Sequence, residues 1–143
     1  MRNILLWKNL VILVAAVLTL SGFQTNAEAS DYYLGVYDSG QVAYLDTSSI
    51  RIENHYVQGY HEGDTYSCTV KAVWPDSDEY EKIHYEIYVG QTERITKNGE
   101  KVWQTIRAKD PNYLEKNPVE ASLLRYFYKK NESDWKNTPD RIR

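Results

Sequence analysis

The chain has 143 residues, a formal net charge of −3 and a single cysteine, Cys68. One cysteine forbids an internal disulfide, so a fold of this size must rest on its hydrophobic core. The acidic balance excludes a partner recognised through a phosphate backbone, which requires a basic face, so no nucleic acid is expected.

The chain opens on a leader. Arg2 and Lys8 supply positive charge, Leu10 to Leu20 is a short apolar run, and a polar stretch ends in Ala27-Glu28-Ala29. A charged start, a short apolar centre and small residues two apart are the marks of a secretory signal peptide. The alternative, an uncleaved anchor, is disfavoured because spanning needs about 20 apolar residues. Residues 1–29 are therefore expected to be a bacterial-type signal peptide. The rest is expected in an extracytoplasmic place, secreted or periplasmic, with no membrane span after cleavage. No cysteine lies near the cleavage site, so lipid attachment is not expected.

Residues 30–130 read as one domain and 131–143 as a polar C-terminal tail. Tyr32 to Tyr37 is a first strand, Asp38-Ser39-Gly40 a turn and Gln41 to Leu45 a second strand. Asp46 to Ser49 reads as a turn, with Asp46 placed to accept backbone N–H bonds. Ile50–Ile52 and His55–Tyr60 read as a pair around Glu53-Asn54, and Gly63-Asp64 as the next turn. From Thr65 to Trp74 the chain alternates, with Tyr66, Cys68, Val70, Ala72 and Trp74 on one face. After the break at Pro75–Glu79 it alternates again, with Ile83, Tyr85, Ile87 and Val89 on one face and Lys82, His84, Glu86 and Tyr88 on the other. Two alternating runs around a turn predict a hairpin with one buried face. Asn98-Gly99 predicts a tight turn joining Thr92–Thr96 to Lys101–Ala108.

Asn117-Pro118-Val119-Glu120 predicts a helix start, with Asn as N-cap and Glu as the capping-box carboxylate. Val119, Leu123, Leu124, Phe127 and Tyr128 form its apolar side. Ser122, Arg125 and Lys129 form a polar stripe. The expected fold class is α+β, an antiparallel meandering sheet with one C-terminal amphipathic helix packed on one face. The other face is expected to be open and rich in tyrosine, since all 13 tyrosines follow the leader.

No nucleophile elbow, zinc-protease helix, paired-cysteine motif or phosphate loop is present, and no cofactor is implied. Cys68 sits on an apolar face and reads as a buried structural thiol. His55, His61 and His84 have no metal-ligand spacing. Asp76, Asp78, Glu79 and Glu81 lack the order and the glycine of a calcium loop. Tyr88 and His84, on the open face, are the candidate binding residues.

The stretch Val42-Ala43-Tyr44-Leu45-Asp46-Thr47-Ser48-Ser49-Ile50, an aromatic strand running into Asp-x-Ser-Ser-Ile, resembles the opening of the surface-adhesin protein E-like family. The pattern that follows, a long hairpin, a further strand pair and a terminal helix with Tyr126-Phe127-Tyr128, also resembles related uncharacterised small secreted bacterial proteins with the same opening, and the likeness covers Tyr32 to Tyr128 in outline. It implies a small exported bacterial domain with an antiparallel sheet and a packed helix. Adhesin members of that family carry a cysteine pair and often a lipid anchor, neither of which is expected here, and no site residue carries over because the shared positions read as turn and core positions. The expected function is a non-catalytic binding or interaction module at the cell envelope, with an envelope or extracellular protein as partner. The alternative is a small extracytoplasmic enzyme or metal-dependent protein.

Overall fold

The computed structural model describes residues 31–106 and 110–137, without the side chains of 135–137. The expected signal peptide and the chain after Asn137 lie outside the described residues. Six strands follow in order: β1 (Tyr32–Val36), β2 (Val42–Val57), β3 (Tyr60–Val73), β4 (Tyr80–Gly90), β5 (Glu93–Lys97) and β6 (Glu100–Gln104). A four-residue helix α1 (Tyr113–Lys116) and a 20-residue helix α2 (Pro118–Asn137) follow them among the described residues. Each strand pairs antiparallel with its neighbour in sequence, giving one meandering sheet of order β1-β2-β3-β4-β5-β6. The fold is α+β.

Alternation built the centre of this sheet. Tyr66, Cys68, Val70 and Ala72 of β3 and Ile83, Tyr85, Ile87 and Val89 of β4 are buried on one face. Helix α2 covers them with Val119, Leu123 and Phe127, one residue per turn along its length. Phe127 stacks on Tyr66 with ring centroids 4.8 Å apart. Two residues expected on this side are not in it. Trp74 follows the last residue of β3 and is 46% exposed, and Tyr128 is 48% exposed, one step round the helix from Phe127.

The hairpin between β2 and β3 is far longer than the sequence predicts. No turn forms at Glu53-Asn54 or at Gly63-Asp64; both lie within strands paired to each other, Asn54 with Asp64 and His55 with Gly63. The chain turns at Gln58-Gly59, where both residues have positive φ (51° and 83°), as a tight hairpin turn demands. Glutamine is a poor marker of that conformation, whereas Asn98-Gly99, with φ of 48° and 84°, forms its turn where expected.

Asp46–Ser49 is likewise a bulge inside β2 rather than a turn between strands. The register jumps from Asp46 opposite Thr69 to Arg51 opposite Ser67. Asp46 Oδ1 accepts the Ser48 backbone N–H at 3.1 Å, and its hydrogen bonds with Ser48 hold its carboxyl below the ordinary value. Ser49 Oγ donates to the Asp46 carbonyl at 2.6 Å and accepts the Thr69 N–H at 2.8 Å. Asp46 and Ser49 thus close the ladder across the bulge.

The start of α2 departs from a capping box. The Asn117 carbonyl accepts the first helical bond from Ala121, but its side chain donates backwards to Tyr113. Glu120 is buried and turned onto the sheet, where Tyr85 donates to its Oε1 at 2.9 Å. Tyr37 donates in turn to Tyr85 at 3.0 Å, and Lys97 Nζ lies 3.7 Å from the same carboxylate. Burial, reinforced by Glu120, pushes both tyrosine hydroxyls well above their ordinary value. The helix also outruns its expected end: Asn131, assigned from sequence to the tail, lies on the Val119–Leu123–Phe127 side and hydrogen-bonds into the sheet.

Cys68 is 1% exposed, and burial pushes its thiol up from the ordinary 9.0 to about 12. An acid raised in the folded state contributes stability that is complete below its unfolded value and lost as pH rises towards its folded one. Cys68 should therefore cost up to about 1.4 kcal/mol per pH unit between pH 9 and 12. Tyr37 and Tyr85, raised from an ordinary value of 10.0, act in the same direction from pH 10 upward. Urea midpoints measured across that window should fall less steeply in Cys68→Ala than in the parent. Native Cys68 should also resist thiol reagents that label it after denaturation, because the thiolate is the reacting species.

Candidate functional site

The long β2–β3 hairpin projects beyond the sheet, and the β5–β6 hairpin faces it across the end of β4. Between them lies a groove of about 580 Å³ on the face opposite α2. The arm contributes His55, Tyr56, Val57 and Glu62; β4 contributes Tyr88; the β5–β6 side contributes Glu93, Arg94, Gln104 and Ile106.

Tyr88 is the floor of this groove, and two glycines set its position. Gly63 of β3 pairs with Gly90 of β4, and the phenol ring lies over both. A Cβ at Gly63 would sit 2.7 Å from the Tyr88 hydroxyl oxygen, and one at Gly90 would meet the same atom at the same distance. Each would also come within 2.6 Å of a backbone carbonyl. The glycines are therefore required by close approach, and the ring covers backbone that they leave bare. This explains why Gly63-Asp64 lies inside a strand.

The ring is held from both sides. His55 meets it edge-on with centroids 5.7 Å apart, and the Arg94 guanidinium carbon stands 5.5 Å from its centre. His55 is oriented by Nε2, 2.7 Å from Thr65 Oγ1. The Tyr88 hydroxyl points to the Glu62 carbonyl at 3.4 Å, and partial burial together with the Glu62 charge pushes it up, against the opposing effect of Arg94. Glu93 is engaged by the Thr105 hydroxyl. The groove thus presents an aromatic surface, one imidazole, a guanidinium and two carboxylates, Glu62 and Glu93.

Of the two residues singled out from sequence, Tyr88 lines this groove and His84 does not. His84 is exposed further along β4, where its backbone N–H bonds Asn98 Oδ1 at 3.0 Å. The three histidines are not gathered: His55 bonds Thr65, His61 bonds Asp64, and His84 lies apart from both, with its backbone bonded to Asn98 at the β5–β6 turn. Among the described residues no group of three or more His, Cys, Asp or Glu side chains is arranged to hold a metal ion. Asp76, Asp78 and Glu79 are exposed in the β3–β4 turn.

The open face carries tyrosine at its margins rather than across its centre. Thr65, Ser67, Thr69, Lys71, His84 and Glu86 occupy the centre, with Tyr33, Tyr44, Tyr80 and Tyr88 around them; Tyr56 and Tyr60 lie on the arm, Tyr32 lies on the helix side opposite Leu45, and Tyr128 is on α2. Arg94 carries no signal in the sequence and His55 reads there only as a candidate metal ligand, because each needs a partner from another hairpin to become part of this groove. The one local signal was the pair of glycines flanking Tyr88 in space, which sequence places 27 residues apart. Comparison with family models, with curated proteins and with solved structures finds no match to this chain.

Proposed function

We propose that this is an exported, non-catalytic binding module that takes its ligand in the groove over Tyr88. The observation that carries this reading is the bracing of Tyr88 between His55 and Arg94 on a glycine pair. Such a surface is formed before any ligand arrives, which lowers the ordering cost of binding. The side chains around it are tied into the fold, Thr65 orienting His55 and Thr105 engaging Glu93. Export is supported by the leader, and an envelope role by the surface-adhesin E-like resemblance.

The test uses the protein recovered after export. Its mass should correspond to a chain beginning at Ser30 within a residue or two; an intact Met1 terminus overturns the export reading. Affinity capture from envelope and extracellular extracts should then lose its partner with Arg94→Glu, by about tenfold in affinity. Arg94 is exposed, so its stability should stay within about 0.5 kcal/mol of the parent. Tyr88→Ala is the poorer probe, because it uncovers Gly63 and Gly90 and destabilises the arm. Capture that Arg94→Glu leaves unchanged places the contact elsewhere. A second reading, a small extracytoplasmic enzyme, draws on His55 sharing the groove with Glu62 and Glu93. It requires a turnover that disappears in His55→Ala.

A further inference from the structure

A second groove lies at the opposite end of the sheet order. It runs between the outer edge of β1 and helix α2 and has a volume of about 580 Å³. Strand β1 pairs with β2 on one side only; among the described residues no strand occupies its other edge. That edge presents backbone N–H and C=O groups, which pair readily with an added strand. The facing wall is one stripe of α2: Arg125, Tyr126, Lys129 and Lys130, spaced three and four apart, share a side of the helix next to the core stripe. Tyr32 and Tyr33 close the groove from β1, and the Tyr32 and Tyr126 rings meet with centroids 4.9 Å apart.

The charge of this groove opposes that of the chain. Three cations line it against one carboxylate, Asp134, in a protein of net charge −3. Lys130 is paired with Asp134 at 3.5 Å, whereas Arg125 and Lys129 form no ion pair among the described residues. Both are exposed and neither supports the core.

We propose that the β1–α2 groove binds an extended acidic peptide segment as an additional strand on β1. Its backbone pairs with the open edge, its carboxylates meet Arg125 and Lys129, and its apolar side chains rest on Tyr32, Tyr33 and Tyr126. The strand edge selects a peptide over an acidic glycan, which has no regular series of amides to complete the ladder. The exposed cations select against a second copy joined edge to edge, since a two-fold axis through β1 would bring Arg125 and Lys129 towards their own counterparts.

The probe is a fluorescent eight-residue peptide alternating glutamate with valine, titrated into the purified protein by anisotropy, with backbone amide shifts followed by NMR. Binding should be saturable and should move the amides of Tyr32–Val36. It should weaken by about tenfold or more in the Arg125→Glu, Lys129→Glu double variant and persist in Arg94→Glu, which alters the other groove. Methylation of alternate peptide nitrogens should abolish it. Lack of saturable binding, or equal binding of the methylated peptide, overturns the proposal. Equal binding of an oligogalacturonate assigns the groove to glycans instead. Shifts of the same β1 amides with protein concentration alone assign it to a second copy.

Discussion

Phe127→Ala should cost about 3–5 kcal/mol, a large part of the roughly 5–15 kcal/mol that holds a domain of this size. The ring is fully buried, stacks on Tyr66 and stands edge-on to Tyr126, so its removal leaves a cavity between helix and sheet. Arg125→Ala and Lys129→Ala, within one turn of it but exposed, should each cost less than about 0.5 kcal/mol. Urea titration of the three variants checks the contrast. Equal small effects would mean that α2 does not hold the sheet. The neutrality of Arg125 and Lys129 also makes them clean probes of the β1–α2 groove.

Asp64→Ala should be comparably damaging, by about 3–5 kcal/mol, through polar contacts rather than packing. Asp64 has no exposed surface. Its Oδ1 accepts from His61 Nε2 at 2.7 Å and its Oδ2 from Asn131 Nδ2 at 2.6 Å, while the same Asn131 amide reaches the Tyr66 hydroxyl at 3.0 Å. One carboxylate therefore joins the base of the β2–β3 arm to the second half of α2. Removing it strips an acceptor from two donors in a dry site, which costs more than the bonds themselves contributed. Asn131→Ala removes one arm of the junction and should cost about 1–3 kcal/mol. The double variant should then cost less than the two single effects added together, because both break one contact. Full additivity in a thermodynamic cycle would show that the strand and helix are not coupled through this pair. Asp64→Asn should restore part of the stability, since its oxygen can still accept from Asn131 while its nitrogen faces His61 Nε2, which then accepts in the other ring tautomer.

The sheet and helix were legible because their signals are local. Strict alternation from Thr65 to Trp74 and from Lys82 to Val89 can place only one face against a core, and those strands bury the predicted residues except Trp74, which follows the end of β3. Asn98-Gly99 and Asn117-Pro118 marked a turn and a helix start through their own backbone preferences. The failures share a physical cause. Glu53-Asn54 and Gly63-Asp64 are turn-forming pairs by residue type, yet their partners across the β2–β3 ladder hold them extended, while the local turn at Asp46–Ser49 forms but is absorbed as a bulge within β2. Ser49 bonds Thr69 across the bulge, the Tyr88 ring covers Gly63, and Asp64 is held by His61 and Asn131. Each such contact outweighs a local propensity of a kcal/mol or less.

Glu120 and Asn131 were misread for the same reason. In sequence a glutamate at the third helical position reads as a cap, and an asparagine past the apolar stripe as a tail. Only the packed sheet brings Tyr85 to the first and Asp64 and Tyr66 to the second. Both grooves belong to this second category. The sequence by itself determined an antiparallel meander with a covering helix, because periodicity records which face meets water. The tertiary structure alone decided where Tyr88, His55 and Arg94 converge and where the edge of β1 faces a cationic stripe, because those meetings depend on the lengths of hairpins that no local pattern encodes.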